Sequence, residues 1–245
     1  MYLILCLLRC FLRAREDTEF WLFIANLFSL SSSQNTKQKM PLKVHRQNVV
    51  RNTEFVIWNA TESMDELHAL ARLSENEVEL LDSILLEKRK REWLTTRILL
   101  QIVASGSELS HLSNGKPILT NHRGISISHC DNLAGVIVSD EMVGLDIQRL
   151  NEKIKRIARK FCHSDEITRA LESADELTYL TMVWSAKEAV FKYFGERIQF
   201  AEEMRMAHFD VHDSKLELSY DGIHGSKRFT LVHDFIDNFH VIYTE

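Results

Sequence analysis

Two carboxylates, one amide and two lysines stand in this sequence at spacings that suit a divalent cation and an anionic, phosphate-bearing ligand. The first stretch is Gly144-Leu145-Asp146-Ile147-Gln148. In a strand, residues two apart share a face and lie roughly 6.6–6.8 Å apart. Asp146 and Gln148 therefore point together while Leu145 and Ile147 turn to a core. An aspartate beside an amide carbonyl is half of an oxygen-ligand magnesium site. The second stretch runs from Trp184 to Lys192, where Trp184, Glu188 and Lys192 recur at i, i+4 and i+8 and share a helix face, with Lys187 one position away. Each stretch has a plainer reading. Asp146 can simply end a strand, and a glutamate four residues before a lysine is a surface pair worth about 0.2–0.5 kcal/mol. The two stretches together point to a metal beside a phosphate.

Other residues offer chemistry with less specificity. Ile125-Ser126-Ile127-Ser128-His129 alternates with period two, so both serines share a face and His129 falls at the strand's end. A lone histidine is more often a hydrogen-bonded structural residue than a ligand contact. Residues 87–100 run from a basic segment, including Arg91 and Arg97, into an apolar one. Such a helix is most often a solvated face, with phosphate binding as the alternative. Asn114-Gly115-Lys116-Pro117 is a turn by composition. In residues 149–161, Ile154, Ile157, Ala158 and Phe161 form a helical stripe, and Arg149, Lys153, Lys155, Arg156, Arg159 and Lys160 stand against the single acid Glu152. That cluster is a local attractor for an acidic partner.

These groups must be held by ordinary elements, and the chain is long enough for them. Its 245 residues allow one large or two small cores. The net charge of −5 argues against general nucleic-acid affinity. The four cysteines form no CxxC pair, which predicts reduced thiols and a cytoplasmic protein. Strands are predicted over residues 55–58, 125–129, 133–138 and 142–147, the last two as a hairpin through Ser139-Asp140-Glu141. Ser74 with Glu77, and Ser173 with Glu176, read as capping boxes opening helices. After Gly195 the pattern returns to antiparallel strands over residues 206–211, 216–220, 229–232 and 239–243. Residues 1–39 stand apart: their apolar runs are shorter than the ~20 residues that span a bilayer, and Met40 reads as the natural start. A membrane-surface anchor is the competing reading of that segment.

Four of these motifs, Gly115-Lys116-Pro117, residues 126–129, residues 144–148 and residues 184–192, in this order resemble those of the 4'-phosphopantetheinyl transferase superfamily. The resemblance covers residue 55 to the C-terminus, and the length is similar to the larger, surfactin-synthetase-activating type. It implies an α+β fold of two similar halves, each a small, mostly antiparallel sheet with packed helices, here residues 40–145 and 146–245. It further implies a monomer whose halves form a pseudo-dimer. The activity implied is transfer of the phosphopantetheine arm of coenzyme A to a serine of an apo acyl or peptidyl carrier protein, releasing adenosine 3',5'-bisphosphate. By resemblance, Asp146, Gln148 and Glu188 would hold Mg2+, Gln148 standing where glutamate is common. Glu188, Asp146 and Lys192 would carry the catalysis. Arg91, Arg97, Lys116, Ser128, His129, Lys187 and Lys192 would contact coenzyme A, and the basic helix 149–160 would dock the carrier protein. Neither nucleic acid nor membrane enters this reading. The runner-up is a coenzyme A or carrier-protein binding module of the same fold without turnover.

Overall fold

The computed structural model describes residues 42–48 and 51–245; the expectations about residues 1–39 lie outside them. The described chain is α+β, with two antiparallel sheets. The first takes strands β1 (Leu42–Asn48), β2 (Thr53–Asn59), β5 (Gly124–Cys130) and β6 (Leu133–Ser139) in the order β1-β2-β6-β5. The second takes β7 (Leu145–Arg149), β8 (Met204–Met206), β9 (Lys215–Gly222), β10 (Gly225–Ile236) and β11 (Phe239–Thr244) in the order β7-β11-β10-β9-β8. A small hairpin of β3 (Leu109–His111) and β4 (Pro117–Leu119) carries the turn with Gly115 and Lys116.

Helices α1 (Met64–Ala71), α2 (Glu75–Ser83) and α3 (Glu87–Val103) belong to the first sheet, α3 packing on β2 and β6. The Ser74–Glu77 box is present at the start of α2, where two orphan N–H groups find side-chain acceptors. Helices α4 (Lys153–Ile157), α5 (Ser164–Glu172), α6 (Glu176–Phe194) and α7 (Phe200–Glu203) belong to the second sheet. Helix α6 lies across β7 and β11 and buries Leu180, Met182, Val183, Ala186, Ala189 and Val190. Burial of each large side chain among these contributes about 1.5–3 kcal/mol.

The sheets share a core in which Phe55, Ile57, Leu133 and Ile137 meet Leu145, Ile147, Phe239 and Val241. Edge strands β5 and β7 meet there, and serine side chains join them: Ser126 Oγ accepts from the Leu145 N–H at 2.9 Å and Ser128 Oγ from the Ile147 N–H at 3.0 Å. The two serines predicted to share a face thus stitch one sheet to the other.

Four local expectations need correction. Strands β6 and β7 are not a hairpin: both edges of β6 are filled by β2 and β5, and β7 pairs with β11, so residues 140–144 carry the chain from one sheet to the next. The basic helix is shorter than residues 149–161, with α4 passing into a 3-10 turn at Ala158–Lys160. Ser173 closes α5, and Asp175 caps α6 by accepting from the Thr178 N–H, because its carboxylate reaches an orphan donor of the first turn. The strand expected over 206–211 ends at Met206. Among the described residues no helix is long and apolar enough to cross a membrane.

Candidate functional site

Strand β7 brings Asp146 to helix α6 because Gly144, at its entrance, lets the backbones touch. A Cβ on Gly144 would sit 1.8 Å from the carbonyl oxygen of Ala189, the residue after Glu188. The glycine is therefore needed by close approach, and the approach places the two motifs side by side.

Asp146 is 2% exposed. Its Oδ1 accepts from Lys192 Nζ at 2.8 Å and from the Ser128 hydroxyl at 3.3 Å. Lys192 also donates to Ser128 Oγ and to the Leu145 carbonyl, each at 2.9 Å, so its three N–H donors are all engaged. Ser128 is equally occupied, accepting from Lys192 and Ile147 while donating to Asp146. Asp146 Oδ2 is buried without a hydrogen-bond partner among the described residues. An unsatisfied buried carboxylate oxygen is costly unless a cation or donor completes it.

One turn before Lys192, half-buried Glu188 has its carboxyl pushed up to about 7. Burial is the main cause and the negative charge of Asp146 adds to it, while Lys192 opposes both. A carboxyl whose ionisation is disfavoured by burial and by its neighbour's charge, beside a carboxylate with an open oxygen, fits a hard divalent cation. Gln148, half-buried and two residues along β7 from Asp146, adds a neutral amide oxygen on the same face. Among the described residues no cluster of three or more His, Cys, Asp or Glu side chains forms a metal site. The donor set is thus two carboxylates and an amide.

The raised pKa has a stability consequence. Glu188 binds its proton more tightly folded than in an ordinary carboxylic acid, so its favourable contribution is present below about pH 4.5 and lost as pH rises towards 7. The metal-free protein should accordingly lose melting temperature between pH 5 and 7. In Glu188→Gln that part of the slope should vanish; an unchanged slope would mean the carboxyl is not perturbed.

His129 is the penultimate residue of β5, beside this cluster. Its ring Nε2 lies 2.8 Å from Thr96 Oγ1 on α3. Burial pushes its pKa down to about 4; Glu92 opposes this and Lys192 adds to it.

The remaining predicted residues are placed elsewhere. Lys116 donates to the Tyr193 and Phe194 carbonyls at 2.9 and 3.0 Å, capping the C-terminus of α6. Arg97 pairs with Glu77 at 3.0 Å and lies over the Trp93 ring at 4.4 Å. Arg91 donates to the Glu62 carbonyl at 2.5 Å. Lys187 is the clear correction. Predicted as a coenzyme A contact, it is 0% exposed and points to the opposite side of α6, where it pairs with Glu166 at 2.7 Å. It also donates to the carbonyls of Phe161, Phe200 and Met204 at 2.8, 3.1 and 3.0 Å. The periodicity held the signal, since Lys187 falls on the apolar stripe Val183, Lys187, Val190 at i, i+4 and i+7. Thr96 and Glu166, both important here, were missed; Thr96 was legible only as a hydroxyl inside an apolar helical run.

Beyond the cluster, Lys153, Arg156, Arg159 and Lys160 are exposed, whereas Lys155 pairs with Glu152 and Glu176 and Arg149 with Asp131. A separate cleft of about 190 Å³ lies between the paired strands β1 and β2 and strand β11, lined in part by Arg46, Arg51, Glu141 and Tyr243, and it holds none of the site residues.

Comparison with known proteins finds likeness over part of the chain. Residues 142–243 match the model of the 4'-phosphopantetheinyl transferase superfamily. The chain is 36% identical over 78 residues to enterobactin synthase component D of Salmonella typhi, covering 30% of this chain and 32% of that protein. It is 30% identical over 84 residues to 4'-phosphopantetheinyl transferase gsp of Aneurinibacillus migulanus, covering 34% of this chain and 35% of that protein. The matches thus span about a third of these relatives. The segment that matches the superfamily model, residues 142–243, holds Asp146, Gln148, Glu188 and Lys192.

Proposed function

We propose that this chain moves the 4'-phosphopantetheine arm of coenzyme A onto a serine of an apo acyl or peptidyl carrier protein, as an enzyme of the larger, surfactin-synthetase-activating type. The observation that carries this is the buried Asp146 with one oxygen open, beside a Glu188 whose charge is disfavoured by its neighbour. Asp146, Glu188 and, more weakly, Gln148 would hold Mg2+, which when bound supplies charge neutralisation for the diphosphate.

The chain's own residues have separable tasks in this reaction. Lys192 and Ser128 fix the Asp146 carboxylate, leaving Oδ2 open. Lys192 exchanges its hold on the Leu145 carbonyl for a phosphate oxygen of the substrate. Glu188 takes the proton of the carrier serine, directly or through water. The serine oxygen forms a bond to the phosphorus that bears the pantetheine arm. The bond from that phosphorus to the bridging oxygen breaks, and adenosine 3',5'-bisphosphate leaves with the electron pair.

Docking of the carrier protein falls to the exposed cations of residues 149–160. Lys153→Glu or Arg156→Glu should raise the KM for an acidic carrier protein by about tenfold while changing that for coenzyme A little. Steady-state kinetics with each substrate varied in turn read this out, and equal effects on both would refute the docking role.

Gln148 favours a second reading, a coenzyme A or carrier-protein binding module, because an amide brings no charge to a metal. One experiment separates the two. The full chain is incubated with coenzyme A, magnesium and an apo carrier protein, and the carrier is weighed by mass spectrometry. Gain of the phosphopantetheine mass is expected. Binding without mass gain overturns the transferase reading in favour of the module.

A further inference from the structure

Strand β11 sets a buried histidine directly opposite Gln148. In the pairing of β7 with β11, Gln148 stands across from His240. Both belong to the α6 side of the sheet: Ile147, Phe239 and Val241 fill the core shared with the first sheet, whereas Ile242, two residues on from His240, packs in the core around α6. Side chains so placed have Cβ atoms about 4.5–5.5 Å apart. Gln148 is half-buried, and its amide has no partner among the described residues.

His240 is 3% exposed and belongs to a chain of hydrogen bonds. The chain begins at the Asp213 carbonyl, 2.9 Å from His233 Nδ1, and passes from His233 Nε2 to His240 Nδ1 at 3.0 Å. It stops at His240 Nε2, which is buried without a partner among the described residues. A carbonyl can only accept, so His233 Nδ1 carries a proton, and one more lies between the rings. With both rings uncharged, His240 Nε2 is bare. A third proton would place an N–H at His240 Nε2 in either charged arrangement, buried with nothing to accept it, which is costly. Burial and the His233 ring disfavour that proton more than Asp175 favours it.

We infer that His240 is a positioning residue for Gln148: its Nε2 takes an N–H of the amide and so turns Oε1 towards Asp146. An amide has two unlike ends and only its oxygen can meet a hard cation, so a glutamine here must be oriented where a glutamate need not be. The contact stands on the strand register and the open Nε2. Its consequence for a metal rests on the proposed site, and the two are read by separate measurements.

In the metal-free full chain, the Gln148 side-chain NH2 signals, assigned by their loss in Gln148→Glu, should be split more widely in wild type than in His240→Asn. That variant keeps a polar group where Nδ1 meets His233 but removes Nε2. His240→Gln, whose amide reaches the Nε2 position, should restore the splitting. Equal signals in wild type and a folded His240→Asn overturn the inference. Wild-type signals at the positions of a free glutamine amide overturn it too, whether or not the variant folds. Mn2+ binding, followed by electron paramagnetic resonance, reads the consequence. His240→Asn should weaken it about tenfold, as loss of an outer-shell partner does, and less than twofold in a Gln148→Glu background, because a carboxylate has two like ends. Equal losses in both backgrounds would make His240 structural only and overturn the positioning role. Absence of Mn2+ binding by the wild type would instead count against the metal site, with the amide signals still deciding the contact.

Discussion

Asp146→Ala is expected to lower phosphopantetheine transfer by at least about 100-fold to 1000-fold, the range seen when one preorganised charge-stabilising group is lost. The substitution removes the carboxylate that pairs with Lys192 and the oxygen proposed for the cation. It should leave the fold intact, because Lys192 keeps two acceptors, Ser128 Oγ and the Leu145 carbonyl, and Ser128 still joins the sheets through the Ile147 N–H. Asp146→Asn is the matched control: it keeps the shape and one acceptor but not the charge, and should be as inactive. Single-turnover assays on variants with wild-type circular dichroism read this out. Wild-type-like turnover in either variant would contradict the metal-site assignment.

Lys187→Met is expected to cost about 3–5 kcal/mol of stability, the price of leaving a buried charge without its partner. Glu166 is 0% exposed and would keep its bonds from the His163 and Met206 N–H groups at 2.7 Å each, but its charge would have no counter-ion. The three carbonyls now bound by the ammonium would lose a donor as well. Burial pulls the lysine's pKa down, and the Glu166 carboxylate pulls it back up. The same substitution in a Glu166→Gln background should therefore cost much less, giving a coupling above about 1 kcal/mol in chemical denaturation. A variant with unchanged stability but lost coenzyme A binding would return Lys187 to the ligand site.

What the sequence revealed follows from which signals are local. Strand alternation at residues 125–129 and 144–148 and the Ser74–Glu77 capping box depend on neighbours within a few positions, and all were legible. The i, i+4 relation of Glu188 and Lys192 likewise placed both on the face of α6 that meets Asp146. Strand pairing is a different matter. Residues 139–144 have the composition of a hairpin, but β6 is already flanked by β2 and β5, and that occupancy depends on residues some eighty positions upstream. Lys187 shows the other limit. A charged residue on an apolar stripe signals a buried partner, yet nothing near it in sequence names Glu166. Side chains whose donors are saturated, such as Lys192 and Ser128, also look from sequence like free ligand contacts; only coordinates reveal that they hold Asp146 first.

Binding of Mn2+ as a magnesium substitute, followed by electron paramagnetic resonance on the full chain with coenzyme A present, tests the core of this account. One ion per chain is predicted for the wild type, with stoichiometric binding lost in both Asp146→Ala and Glu188→Ala. One tightly held ion per chain in both variants would contradict it.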